Sequence, residues 1–195
     1  MKRIGLTSLL ALGLAVLLAL PSASSAQQRS QVRTSPKASV MQRIGADTDI
    51  TIVYGRPGVK GRKIWGALVP YGLAPGNGAS MNKPFPWRAG ANENTTIEFT
   101  KDLLIEGNKL AAGKYGIHMI PSDKDWIVIF SKNSASWGSF SYSQEEDALR
   151  VTVTPVKAPL QEWLMYGFDD LTATSATLYL HWEELKVPVK IKLAQ

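Results

Sequence analysis

Apolar and polar residues alternate with a period of two in one short stretch after another, and this constrains the fold more than any other feature. "ASVMQRI" sets Ala38, Val40 and Ile44 on one side, "DITIVY" sets Ile50, Ile52 and Tyr54, and "TIEFT" sets Ile97 and Phe99. "LRVTVT" opposes Leu149, Val151 and Val153 to Arg150, Thr152 and Thr154. "TLYLHWE" buries Leu178, Leu180 and Trp182, and "VPVKIKL" buries Val187, Val189, Ile191 and Leu193. A period of two is the mark of a strand with one buried face. "DWIVIF" is apolar on both sides, as a central strand would be. About nine such segments, separated by Gly, Pro and Asn turns, predict an all-β fold, a single-domain antiparallel β-sandwich of jelly-roll type.

Helical signals are short. "SQEEDALR" has the look of a capping box, with Ser143 followed three residues later by Glu146, and "GRKIWGAL" reads as a brief turn. "IEGNKL" predicts a tight hairpin with Gly107 and Asn108 at its positive-φ positions. The longest irregular stretch runs from residue 55 to residue 90, rich in Gly and Pro. Loops of this length in compact domains are functional or disordered. Trp65, Tyr71, Phe85 and Trp87 argue against disorder, because such rings need somewhere to pack.

The amino-terminal segment reads as a Sec-type signal peptide over residues 1–26. Lys2 and Arg3 precede the apolar run Leu9–Leu20, and Ser24, Ser25 and Ala26 offer a cleavage site. That run is shorter than the roughly 20 residues that span a bilayer, and no later stretch approaches that length. Residues 27–37 form a polar leader expected to be flexible, and 38–195 the β domain. The expected location is periplasmic or extracellular. Without cysteine, thiolate chemistry and cysteine-bound metal are excluded, and the domain relies on packing. Setting Lys2 and Arg3 aside lowers the formal net charge from +6 to +4. Export, and the lack of an aromatic–basic recognition motif, argue against a nucleic-acid partner.

No cofactor is expected. His118 and His181 stand alone on their strands, without His-x-His or HExxH spacing, so no metal site is read. "GRPGVKGRK" fails the phosphate-loop pattern because Arg62-Lys63-Ile64 follows Gly61, although Arg56, Lys60, Arg62 and Lys63 can clamp an anion. No G-x-S-x-G elbow supports a serine nucleophile. Trp65, Trp87 and Trp137 lie in Gly-rich contexts, where a flat ring either lids a small core or stacks on a sugar.

The polar density peaks in "PWRAGANENTTIEF", Pro86 to Phe99. An arginine so close to Glu93 in sequence would lower its pKa and hold it charged. The leading expectation is a non-catalytic binder of a small polar ligand or envelope glycan. Its site would use Arg56, Arg62, Trp87, Arg88, Asn92 and Glu93. The alternatives are a structural role, in which these residues fasten the long loop, and an envelope saccharide or ester hydrolase using Glu93.

"SPKASVMQRIG", "ITIVYGRPGVKGRKIWGALVPYG", "WRAGANENTTIEF", "GNKLAAGKYGIHMIP", "DWIVIFSK" and "LRVTVTP" occur in the order of an exported bacterial family, domain of unknown function 2911, which the chain resembles. The resemblance implies a mostly β envelope or secreted protein and carries no catalytic residues. The chain departs from the family pattern at "LAPGNGASMNKPFP", which lengthens the loop before Trp87. As a lid, this insertion would change access to a pocket.

Overall fold

A computed structural model describes residues 32–194, and the signal-peptide reading and most of the leader lie outside them. Ten strands form two antiparallel sheets. The first six are β1 (Lys37–Ile44), β2 (Thr48–Gly55), β3 (Thr95–Phe99), β4 (Leu103–Ile105), β5 (Asn108–Leu110) and β6 (Gly113–Ile120). They are followed by β7 (Trp126–Ser131), β8 (Asp147–Val153), β9 (Val156–Asp169) and β10 (Ser175–Leu193). The larger sheet has the order β1-β2-β3-β6-β7-β8 and the smaller the order β5-β4-β10-β9.

The alternating residues close the sandwich as their pattern requires. Ile50, Ile52, Ile97, Phe99, Val128 and Val151 of the larger sheet share one buried cluster with Leu103, Leu178, Leu180 and Val189 of the smaller. β7 lies between β6 and β8, which explains why "DWIVIF" is apolar on both faces. Its Ile129 is fully buried although it stands outside the core cluster between the sheets.

Three local readings are corrected. "TLYLHWE" and "VPVKIKL" are one strand, β10, whose register against β9 shifts on both sides of Glu183. Glu183 has φ of 56°, so the chain bends without leaving the sheet, and its carboxylate accepts the Trp65 indole N–H at 3.1 Å. The β4–β5 hairpin turns at Glu106 and Gly107, both at positive φ, while Asn108 pairs with Ile105. Glu106 is fixed there because its backbone N–H donates to the Lys190 carbonyl and its carboxylate accepts the Lys190 N–H. Ser143 does cap a short 3-10 turn, Gln144–Glu146, but its hydroxyl accepts from Glu145 N, while the Glu146 carboxylate accepts from Asn133. "GRKIWGAL" forms turns with no helix.

Candidate functional site

The chain from Trp87 to Thr95 is an excursion between two points on a single strand. Trp87 exchanges backbone hydrogen bonds with Met119 of β6, at 2.9 and 2.8 Å, and Thr95 opens β3 by pairing with Ile117 of β6. The intervening residues leave the sheet and return. Ala89 and Asn92 turn the chain at positive φ. The Ala89 carbonyl is pinned by the buried hydroxyls of Tyr166, at 2.9 Å, and Thr95, at 3.1 Å. The polar residues of this stretch satisfy a backbone that no ladder can satisfy.

Each proposed site residue has a distinct place. Arg56 donates to the Leu164 carbonyl at 2.8 Å, tying the start of the long loop to the edge strand β9. Arg62 donates to the carbonyls of Val59 and Gly58, bracing its own turn. Arg88 donates to the Asn92 carbonyl at 2.6 Å and lies over the Phe140 ring at 4.7 Å. Burial lowers its pKa. Asn92 donates to the Ser35 carbonyl at 3.2 Å. Glu93 pairs with Arg33 through two hydrogen bonds, of 2.8 and 2.6 Å, and not with Arg88. That partner hydrogen bond, aided by a backbone donor, holds the Glu93 carboxyl down at about 2.

Arg33 belongs to the segment read as leader. Here residues 33–37 form a strap laid along the excursion, held also by the Arg56 N–H donating to the Pro36 carbonyl at 2.8 Å. The strap separates two clefts. The first, about 360 Å³, opens on the outer face of the larger sheet and is lined by Lys37, Glu93, Asn94, Thr96, Lys114 and Trp137 among others. The second, about 310 Å³, takes in Arg62 and Trp87 with Thr34, Ser35, Lys60 and Trp182. Arg62 and Trp87 therefore share one cleft, Glu93 lines the other, and Arg56, Arg88 and Asn92 line neither.

The outer-face cleft depends on a loop, residues 132–143, that crosses β6 and β7. Its Ser139 hydroxyl lies 2.7 Å from Nδ1 of His118, and Phe140 covers Arg88. Gly138 has φ of 65°, and a side chain there would collide with the Arg88 guanidinium. Gly116 is equally constrained, since a Cβ would lie 2.5 Å from Nδ2 of Asn94 and 2.7 Å from the Asn133 carbonyl. Over this glycine Asn94 donates to Asn133 at 3.1 Å, leaving its own buried Oδ1 without a partner among the described residues. The loop carries Trp137, 60% exposed, on the cleft's margin. Asn94 and Thr96 lie within the polar stretch of the sequence, whereas Lys37 and Lys114 carry no local signal, because it is the lateral order β1-β2-β3-β6 that brings them together. The exposed Trp137 was visible only as a tryptophan in a glycine-rich context.

His118 and Ser139 form a buried pair that sequence spacing did not suggest. Ser139 is fully buried, and among the described residues no carboxylate hydrogen-bonds the imidazole, so the pair lacks the access and orientation of a nucleophile and base. His181 meets the Pro159 carbonyl at 2.9 Å. Among the described residues no three His, Asp or Glu side chains come together as metal ligands. The lengthened loop closes on itself through the Ala74 and Phe85 backbones and an Asn77–Ser80 capping box, and no residue from 73 to 86 lines either cleft.

Fold and clefts together define a single antiparallel β-sandwich with a polar cleft on its outer face. The chain belongs to the family described as protein of unknown function (DUF2911), whose model matches residues 35–191. No curated protein and no solved structure showed significant similarity to it.

Proposed function

We propose that this domain is a non-catalytic binder of a small polar ligand, with a glycan as the best-fitting class, and that the ligand sits in the outer-face cleft. The carrying observation is the exposed indole of Trp137 beside the buried, unpartnered Oδ1 of Asn94. A tryptophan left in water forgoes about 2–3 kcal/mol of burial, and an orphaned buried acceptor costs about 1–3 kcal/mol. A ligand that stacks on the ring relieves the first, and its hydroxyl relieves the second once the Asn94 side chain turns that sealed oxygen into the cleft it lines. The Thr96 hydroxyl makes no bond among the described residues, and Lys37, Lys114 and Glu93 supply charges of both signs. This mixture of donors, acceptors and one flat apolar face suits a sugar. The expected export would place the domain where envelope glycans occur.

A glycan array followed by calorimetry tests the reading. Trp137→Ala should weaken the best array ligand by about tenfold or more, equivalent to about 1.4 kcal/mol, with little change in Tm. Thr96→Val, which keeps the shape and removes the hydroxyl, should weaken it by about fivefold. Absence of binding across the array, or unchanged affinity in both variants, would remove the proposal.

A structural role is favoured for part of the motif by a separate observation: Arg56 donates to a backbone carbonyl of β9, Arg88 to one within the excursion and Asn92 to one of the strap. Glu93 is poorly suited to general acid catalysis, because its pKa of about 2 keeps it ionised.

A further inference from the structure

The second cleft differs in chemistry from the first. Its ionisable side chains, Lys60 and Arg62, are both cations, and no carboxylate lines it. Trp87 and Trp182 line it together, their rings 6.0 Å apart and nearly parallel at 19°. Trp182 is 1% exposed, and its indole N–H is buried without an acceptor among the described residues. Thr34 and Ser35 of the strap, with Leu68 of the long loop, complete the walls that matter here.

The tryptophans are held in place by a wider cluster. Trp65 meets Trp87, Trp126 and Trp182 edge-on, at centroid distances of 5.7, 4.8 and 5.7 Å. The indole N–H of Trp65 is bound by Glu183 and that of Trp126 by the Ser122 carbonyl, so Trp182 alone among these three buried indoles lacks an acceptor. Arg62 is equally fixed, because two of its nitrogens are bound to the Val59 and Gly58 carbonyls, while no bond among the described residues uses Nη1. Much of the side-chain entropy that an anion would otherwise cost is already lost. Lys60 is anchored through its backbone N–H to the Glu162 carboxylate, and its ammonium lies 5.6 Å from the Trp163 ring.

We propose that this cleft is a second binding site, specific for a planar organic anion: a flat unsaturated ring system bearing a carboxylate. The ring packs against Trp87, and the carboxylate takes the free donor of Arg62 with Lys60 as second cation. The proposal is independent of the glycan reading, since the two clefts share no lining residue.

Calorimetry with the protein lacking only its expected signal peptide (residues 1–26), at low salt, tests it with naphthoate, its neutral amide naphthamide, and inorganic phosphate. Naphthoate should bind at millimolar concentration or below, with naphthamide and phosphate each about tenfold weaker or worse. Arg62→Gln should bring naphthoate down to the level of naphthamide, and Lys60→Gln, at a side chain that makes no hydrogen bond among the described residues, should weaken it in the same direction. Trp137→Ala should leave naphthoate binding unchanged, which separates this site from the outer-face cleft. No binding of naphthoate, equal binding of acid and amide, equal binding of phosphate, or insensitivity to both cation variants overturns the proposal.

Discussion

The imidazole of His118 is enclosed by Ser139 and Tyr142 from the crossing loop and stands beside Ile129 in the ladder. Burial first, and then the nearby charge of Arg88, hold its pKa down at about 4. The unfolded chain takes up this proton near pH 6.5, whereas the folded protein resists until about pH 4. The stabilisation from a neutral His118 is therefore complete above pH 6.5 and is lost as the pH falls toward 4. A shift of this size corresponds to a loss on the order of 3 kcal/mol. Thermal melts between pH 7.5 and 4 should show the decline, and His118→Gln, which cannot titrate, should flatten it. A decline of equal size in that variant would assign the effect to other groups.

Among the elements, the strap and the excursion it covers have the strongest influence on the site. Arg33 and Glu93 lie 60 positions apart in the chain, and both are partly exposed. Glu93's depressed pKa contributes stability that is present above about pH 4.5 and is lost as the pH falls through about 2. Carboxyl carbon shifts followed by NMR should place its midpoint near 2, and Arg33→Ala should move it up toward the ordinary glutamate range. An unmoved midpoint would show that Arg33 does not set it. Elements with clean alternation, such as β2 and β8, are legible in the sequence to their buried residues. β9 is not, because it is an edge strand containing Pro159, and much of it is exposed on both faces. The hairpin turn is displaced by one residue because the Lys190 contacts to Glu106 outweigh the preference of Asn108 for positive φ. The site was legible only as types of residue: a polar stretch, loop arginines, loop tryptophans. Their partners come from strands and loops distant in sequence, so the choice of Arg33 over Arg88 by Glu93 left no local trace.

On the scale of the whole molecule, the sandwich core and the two clefts are separable in energy. The core is closed by the facing sheets, while the strap adds contacts outside that core: Arg33 to Glu93, Asn92 to Ser35, and the Arg56 N–H to Pro36. Yet those contacts sit between the clefts, with Thr34 and Ser35 in one wall and Lys37 in the other. Surface ion pairs contribute about 0–1 kcal/mol each, and an ordinary hydrogen bond about 0.5–1.5 kcal/mol. A chain beginning at Lys37 should thus keep its far-UV circular dichroism spectrum while its Tm falls by several degrees. Losing the strap should also weaken binding at both clefts at once, whereas Trp137→Ala and Arg62→Gln each affect one. Naphthoate and the best array ligand, titrated into the shortened chain, measure the two effects separately. If both affinities survive the truncation, the strap is a fastening alone, and the clefts are built wholly by the sheets and the loops that cross them.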